Sequence, residues 1–168
     1  MDIIDTIRQR RSIRKYKQRM PEDKDIDKIL EAGRWAPSGL NNQPWRFLVI
    51  KEKSLKDEIA KFTKYGHVIM SCPVLICVFL DKRSSYNRDK DLMAVGACIQ
   101  NMCLAAYSLG LGTCWLGEIL NQKEKVHQYL NTDRDLELVA VVTLGYTNEG
   151  VTDGCRKPVK TFLIKINQ

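Results

Sequence analysis

Only two histidines, His67 and His127, occur in the 168 residues, and neither belongs to a Ser, His and acid set or to a suggestive Cys and His pair. A side-chain nucleophile activated by a base is therefore not the chemistry to expect. The six cysteines, at 72, 77, 98, 103, 114 and 155, include no Cys-x-x-Cys pair and no histidine spacing of the zinc-binding kind. Most sit in apolar runs, where free thiols behave as small hydrophobes, and a reducing cytoplasm is the compartment expected. No Ser, Gly, Pro or Gln tract marks a disordered arm or a linker, and no 20 to 50 residue period marks a repeat architecture. The first eighteen residues carry Asp2, Asp5, Arg8, Arg10, Arg11, Arg14, Lys15 and Lys17 and so lack the apolar core of a secretory signal. The longest charge-free stretch, from Leu92 to Gly117, has the length of a membrane span. Gln100 and Asn101 at its centre and Gly110, Gly112 and Gly117 in its second half argue instead for a buried helix, a connection and a strand.

What is present suits one compact domain over residues 1–168, with 44% hydrophobic and 28% charged residues. The net charge of +7 is spread along the chain among Asp and Glu, and no basic and aromatic interleaving points to nucleic acid. The one local knot is Arg8, Arg10, Arg11, Arg14 and Lys15.

Ile3, Ile4 and Ile7 share a helical face, and a second helix carries Ile26, Ile29, Leu30 and Gly33 behind a Pro21, Glu22, Asp23 start and ends before Pro37. Trp45 to Ile50 reads as a strand. Ser54 with Asp57 offers a capping box to a short helix, and Val74 to Leu80 is a buried strand. Leu92, Val95, Ile99, Met102, Ala106 and Leu109 follow a helical period while Met93, Ala97, Leu104 and Tyr107 make the opposite side apolar, which predicts a central helix. A helix capped by Asn121 and Glu124, a strand from Leu138 to Leu144 and a last apolar run from Phe162 to Ile166 complete an α+β pattern with a sheet covered by helices. The polar stretch from Thr147 to Lys157 lets that last run either join its own sheet or reach another copy.

Four segments carry chemistry. Arg10 and Arg14, one helical turn apart around Arg11 and Ser12, converge on an anion if the helix continues; a solvated basic face is the plainer reading. Pro37, Ser38, Gly39, Leu40, Asn41, Asn42, Gln43 and Pro44 form an amide-rich loop that offers donors and acceptors together, or is simply a turn. Gly110 to Gly117 would let a backbone lie flat against a planar ligand, or would cap a helix. Gly154, Cys155, Arg156, Lys157 and Pro158 add a cation, or an exposed basic turn.

In order and spacing, RRSIRKY, APSGLNNQPW, GLGTCWLG and RKP resemble the nitroreductase family of flavoproteins over nearly the whole chain. The resemblance implies a mixed sheet flanked by helices, an intertwined homodimer that exchanges its C-terminal strand, and FMN in each of two interface clefts. It implies that Arg10, Arg11, Ser12 and Arg14 contact the phosphate, the ribityl chain and the N1 and O2 side of the ring, and that Arg156 is a further phosphate ligand. Pro37, Ser38, Gly39 and Asn41, supported by Gln43, resemble the other subunit's contribution, and Leu116 and Gly117 resemble the backbone facing N5 and O4. The activity implied is reduction of nitroaromatics, quinones or similar small electrophiles with NADH or NADPH through flavin N5. Two alternatives stay open: a specialised reaction such as reductive dehalogenation, flavin fragmentation or enone reduction, and a non-catalytic flavin-binding protein. The chain is short for the family, so an insertion that covers the cleft in larger members is absent or reduced, and the acceptor is not legible.

Overall fold

The structure is a computed structural model that describes residues 2–150 and 153–164. Ten regular elements run in the order α1 (Ile3–Gln9), α2 (Asp23–Arg34), β1 (Trp45–Ile50), α3 (Lys53–Ala60), α4 (Gly66–Ser71), β2 (Val74–Asp81), α5 (Arg88–Ser108), β3 (Gly112–Leu116), α6 (Lys123–Leu130) and β4 (Leu136–Gly145). The strands form one sheet in the order β1-β2-β4-β3, antiparallel at every named pair, with a single parallel bridge from Ser12 to Thr113 at its β3 edge.

β2 is apolar throughout because both of its faces are covered. Val74, Ile76, Val78 and Leu80 meet α2 and α5, whereas Leu75, Cys77 and Phe79 meet α3, α4 and α6. Alternation along one strand thus divides the interior into two cores that share a sheet. α5 enters with Asn87 accepting the Lys90 amide at 3.1 Å, a capping bond that frees the helix start of one orphan donor. Gly33 of α2 lies where a Cβ would come within 2.7 Å of Met102 Cγ, so its lack of a side chain allows α2 and α5 to pack closely.

Several expectations change. The Ser54 and Asp57 capping box does not form. α3 begins two residues earlier than a Ser54 cap would place it, with Glu52 at the cap position, so the Ser54 hydroxyl donates to Glu52 and Asp57 pairs with Lys53. Asn121 sits inside a 3-10 turn (Glu118–Gln122) and bonds Glu118, so neither it nor Glu124 caps α6. α5 is central on one face only. Its other face leaves Met93 69% exposed, and the Ile3, Ile4 and Ile7 face of α1 is exposed as well, because nothing among the described residues covers them. Residues 159–162 form a 3-10 turn, and the exposed Phe162, Leu163 and Ile164 pair with no strand among the described residues. The rest of the expected terminal run, residues 165 and 166, lies outside the described residues.

Candidate functional site

α1 stops at Gln9, and Arg10 leaves it with φ −54° and ψ 132°. The following residues run alongside β3, with the Ile13 amide donating to the Thr113 carbonyl at 2.9 Å. A shared helical turn for Arg10 and Arg14 is therefore replaced by extended backbone, in which Arg11 and Ile13 line one cavity, Ser12 lines another and Arg10 reaches both. Ile13 fills the space above Gly112, where a Cβ would lie 2.6 Å from Ile13 Cγ1. That contact seats the segment against the sheet edge.

Arg10 and Ser12 line an open cleft of about 360 Å³ with Gln100 and Cys103 of α5, Trp115 of β3 and Gly117. The Nε of Arg10 is buried without a hydrogen-bond partner among the described residues, an unusual cost unless a ligand completes it. Ser12 and Arg14 are exposed, and Arg14 Nη1 reaches only the Ser12 carbonyl, at 3.2 Å, while its amide donates to Glu149 at 2.9 Å. A Cβ on Gly117 would meet nothing within 4 Å, so open space adjoins that backbone. Leu116, by contrast, turns its side chain into the core beside Ile119.

Arg11 points the other way. Its Nη1 donates to the Arg8 and Arg10 carbonyls at 2.5 and 2.9 Å, and its guanidinium packs where a Gly154 side chain would stand. It lines a second, smaller cavity of about 120 Å³ with Ile13, Tyr107 and Glu149. Arg156, two residues beyond Gly154, is exposed and bonds its neighbour's carbonyl at 2.7 Å.

The amide loop is built under strain. Leu40, Asn41 and Gln43 hold φ of 55°, 54° and 46°, left-handed values that cost non-glycine residues energy and persist only when the surroundings enforce them. Ser38 Oγ accepts from the Gln43 amide at 3.0 Å, and Gln43 Nε2 donates to the Asn41 carbonyl at 3.1 Å. Gly39 sits under the Tyr86 hydroxyl, which would lie 2.0 Å from any Cβ. Pro37 is exposed just ahead of this turn.

The enforcing group was missed in the sequence: Asp91, wholly buried in α5. Its carboxylate accepts from Asn42 Nδ2 at 2.8 Å, Ser85 Oγ at 2.7 Å and the amides of Tyr86 and Asn87 at 3.1 and 3.2 Å. Burial alone would raise its pKa, but bonds from Ser85, Asn42 and the two amides outweigh it and hold the group below the usual carboxylate range. In sequence it reads merely as an acid favoured by the helix start.

Asp91 and the Gln100 to Cys103 turn are nine to twelve residues apart on α5, roughly 14–18 Å at 1.5 Å per residue. One chain therefore brings Arg10, Ser12 and Gly117 to one cleft and gathers Ser38, Gly39, Asn41 and Gln43 at the other end of the helix. Gln100, Cys103 and Trp115 were also missed; for Trp115 the usable signal is its alternation with buried Cys114 and Leu116 along β3. Burial pushes the Cys103 and Cys114 thiols up despite the nearby arginines, so neither is a ready thiolate. Among the described residues no group of His, Cys, Asp and Glu is arranged to hold a metal, and no helix is long and apolar enough to cross a membrane.

Comparison with known proteins follows this geometry. Residues 7–66 and 62–146 match the sequence profile of the Nitroreductase family. A provisionally named NADH dehydrogenase/NAD(P)H nitroreductase of Methanothermobacter thermautotrophicus is 34% identical over 89% of this chain and 79% of its own length. An iodotyrosine deiodinase of Thermotoga neapolitana is 26% identical over 88% of this chain and 89% of its own. The crystal structure of a provisionally named nitroreductase from Desulfovibrio desulfuricans in complex with FMN superposes with a TM-score of 0.93 at 43% identity, covering 99% of this chain and 97% of that one.

Proposed function

This chain belongs to the nitroreductase family, and from that premise we propose that it is an FMN-dependent oxidoreductase reducing small electrophiles, such as nitroaromatics or quinones, with NADH or NADPH. The observation that carries the reading is Arg10, whose buried Nε finds no partner among the described residues and whose side chain lines a cleft together with Ser12 and Gly117. A guanidinium kept without a structural partner suits an anion, and a hydroxyl with open backbone beside it suits a hydroxylated chain and a flat ring. These residues fit FMN.

The chemistry supplied by bound FMN is acceptance of hydride from the nicotinamide and donation of the electrons to the acceptor. Arg10 and Ser12 would hold the phosphate and ribityl groups, with Arg11 and Arg156 as neighbouring cations on the far side of the same segment. Arg14 would place positive charge beside N1 and O2, favouring the reduced, negatively charged form. The backbone of Leu116 and Gly117 would border N5. The loop of Pro37, Ser38, Gly39, Asn41 and Gln43 stands away from its own chain's cleft, which supports its serving a partner's.

A homodimer is the proposed working unit. Exposed Ile3, Ile4, Ile7 and Met93 form apolar surface that a second copy would cover, and the unpaired Phe162 to Ile164 tail supports exchange of the C-terminal strand. Two cores on one sheet support reading residues 1–168 as a single domain, and the five buried free cysteines support a cytoplasmic setting. A second reading, reductive dehalogenation, is favoured by the deiodinase relative and makes halogenated phenols the acceptors to compare with nitroaromatics and quinones.

The purified protein should carry FMN absorbance that bleaches on adding NADH or NADPH. Arg10→Ala should weaken FMN binding at least about tenfold, the scale of a lost charge-assisted hydrogen bond, while leaving the unfolding midpoint nearly unchanged. Colourless protein that ignores added FMN would overturn the assignment.

A further inference from the structure

Trp115 is out of character for a sheet residue beside a core. Its neighbours Cys114 and Leu116 turn into the interior, but its own indole faces α5 and remains 44% exposed. Its Cη2 end lies over α5 at Gly96, 3.8 Å from where a Cβ of that residue would stand, an ordinary contact distance. The exposed part lines the cleft that also contains Arg10, Ser12 and Gly117. An isolated parallel bridge between Ser12 and Thr113 holds the arginine segment against this edge of β3, next to Trp115 in the strand order. Gln100, one turn of α5 before Cys103, edges the same cleft with no hydrogen bond to its carboxamide among the described residues. An indole left half uncovered wastes apolar area that a flat ligand would bury, and an idle amide next to it offers both a donor and an acceptor.

We propose that Trp115 is a flavin-binding residue of this chain, an aromatic wall of the cleft against which the ring system of the cofactor packs, with Gln100 as an adjacent polar contact. This deepens the FMN reading and rests on it. None of the four recognised motif roles needs a tryptophan at this position; the indole's exposure in the cleft, beside Arg10, Ser12 and the unbonded Gln100, is what assigns it. Trp115 touches the cofactor and neither donates nor accepts a proton.

The test separates this inference from the reading beneath it. Apoprotein of the full chain is titrated with FMN, affinity is taken from equilibrium dialysis, and flavin and indole emission are followed in the same samples. In the unaltered protein FMN should bind with its emission strongly quenched, as electron transfer from an indole in contact quenches flavins. Trp115→Phe should bind within a few fold of the parent but leave the flavin distinctly brighter and lose the indole quenching that Trp35 and Trp45 do not supply. Trp115→Ala should bind roughly tenfold more weakly, the scale of one aromatic stacking contact. Gln100→Leu should weaken binding by a few fold without brightening the flavin. If FMN binds but Trp115→Phe leaves both emissions unchanged and Trp115→Ala binds as the parent does, the aromatic wall is refuted and the cofactor assignment stands. If FMN does not bind the unaltered protein, both are refuted.

Discussion

Replacing Asp91 tests whether the strained amide loop is held by one buried carboxylate. Asp91→Ala removes four hydrogen bonds at 2.7 to 3.2 Å and leaves the Tyr86 and Asn87 amides and the Ser85 hydroxyl without their acceptor. Bonds to a charged acceptor contribute about 1.5–3 kcal/mol each in isolation, but the desolvation of the carboxylate offsets much of the sum. A net loss of about 3 kcal/mol is expected, which for a chain of this size lowers the melting temperature by about 6–12 °C. Asp91→Asn keeps the shape and isolates the charge. Because the folded-state pKa is depressed, the charge contributes its full stability above the unfolded value near 4, and that contribution is lost as pH falls through the lower folded value. Urea unfolding of parent and Asp91→Asn from pH 7 downward should therefore show a gap that is constant to about pH 4 and then closes. A melting shift below about 2 °C for Asp91→Ala, or a gap that ignores pH, would refute the hub.

Two further outcomes follow from the packing. Glu137, bonded by Arg88 Nη2 and Nε at 2.9 and 3.1 Å and by Lys123 at 2.9 Å, has its carboxyl pulled to about 2, chiefly by the Arg88 bond, so Glu137→Gln should cost about 1–2 kcal/mol at pH 7 and progressively less between about pH 4 and 2, read by the same titration. Gly33→Ala should cost about 1–3 kcal/mol in urea unfolding, because its Cβ meets Met102 Cγ at 2.7 Å and Cys98 Sγ at 3.0 Å across the α2 and α5 contact; an unchanged midpoint would mean the helices are not that close.

The strand Trp45–Ile50, the buried strand read at 74–80 and the long helix through 92–108 are legible in the chain because each is rich in apolar residues, in short runs for the strands and at helical spacing for the helix. Helix starts at Ser54 and Asn121 are misplaced by that reading because several polar residues in a row satisfy the capping rule equally well, and tertiary packing chooses which one begins the helix. The binding segments are legible as chemistry: guanidinium groups, amides and glycines announce an anion and a close backbone whatever the fold does.

Their geometry is another matter. Arg10 and Arg14 lie four apart, a helical spacing, yet no helical turn joins them, because α1 ends at Gln9 and the backbone then meets the edge of β3 at Ser12. Asp91 and Trp115 carry no local mark of function, since a carboxylate in a first turn and an aromatic in a strand are ordinary. What sets them apart is long-range placement: Asp91 is buried under a loop about fifty residues earlier in the chain, and Trp115 lies in a cleft between α5 and the extended arginine segment. Local sequence determined which groups are available and which elements form, because propensity and periodicity act over a few residues. Only the tertiary structure decided which of those groups meet, because that depends on how distant segments pack once their apolar faces are buried.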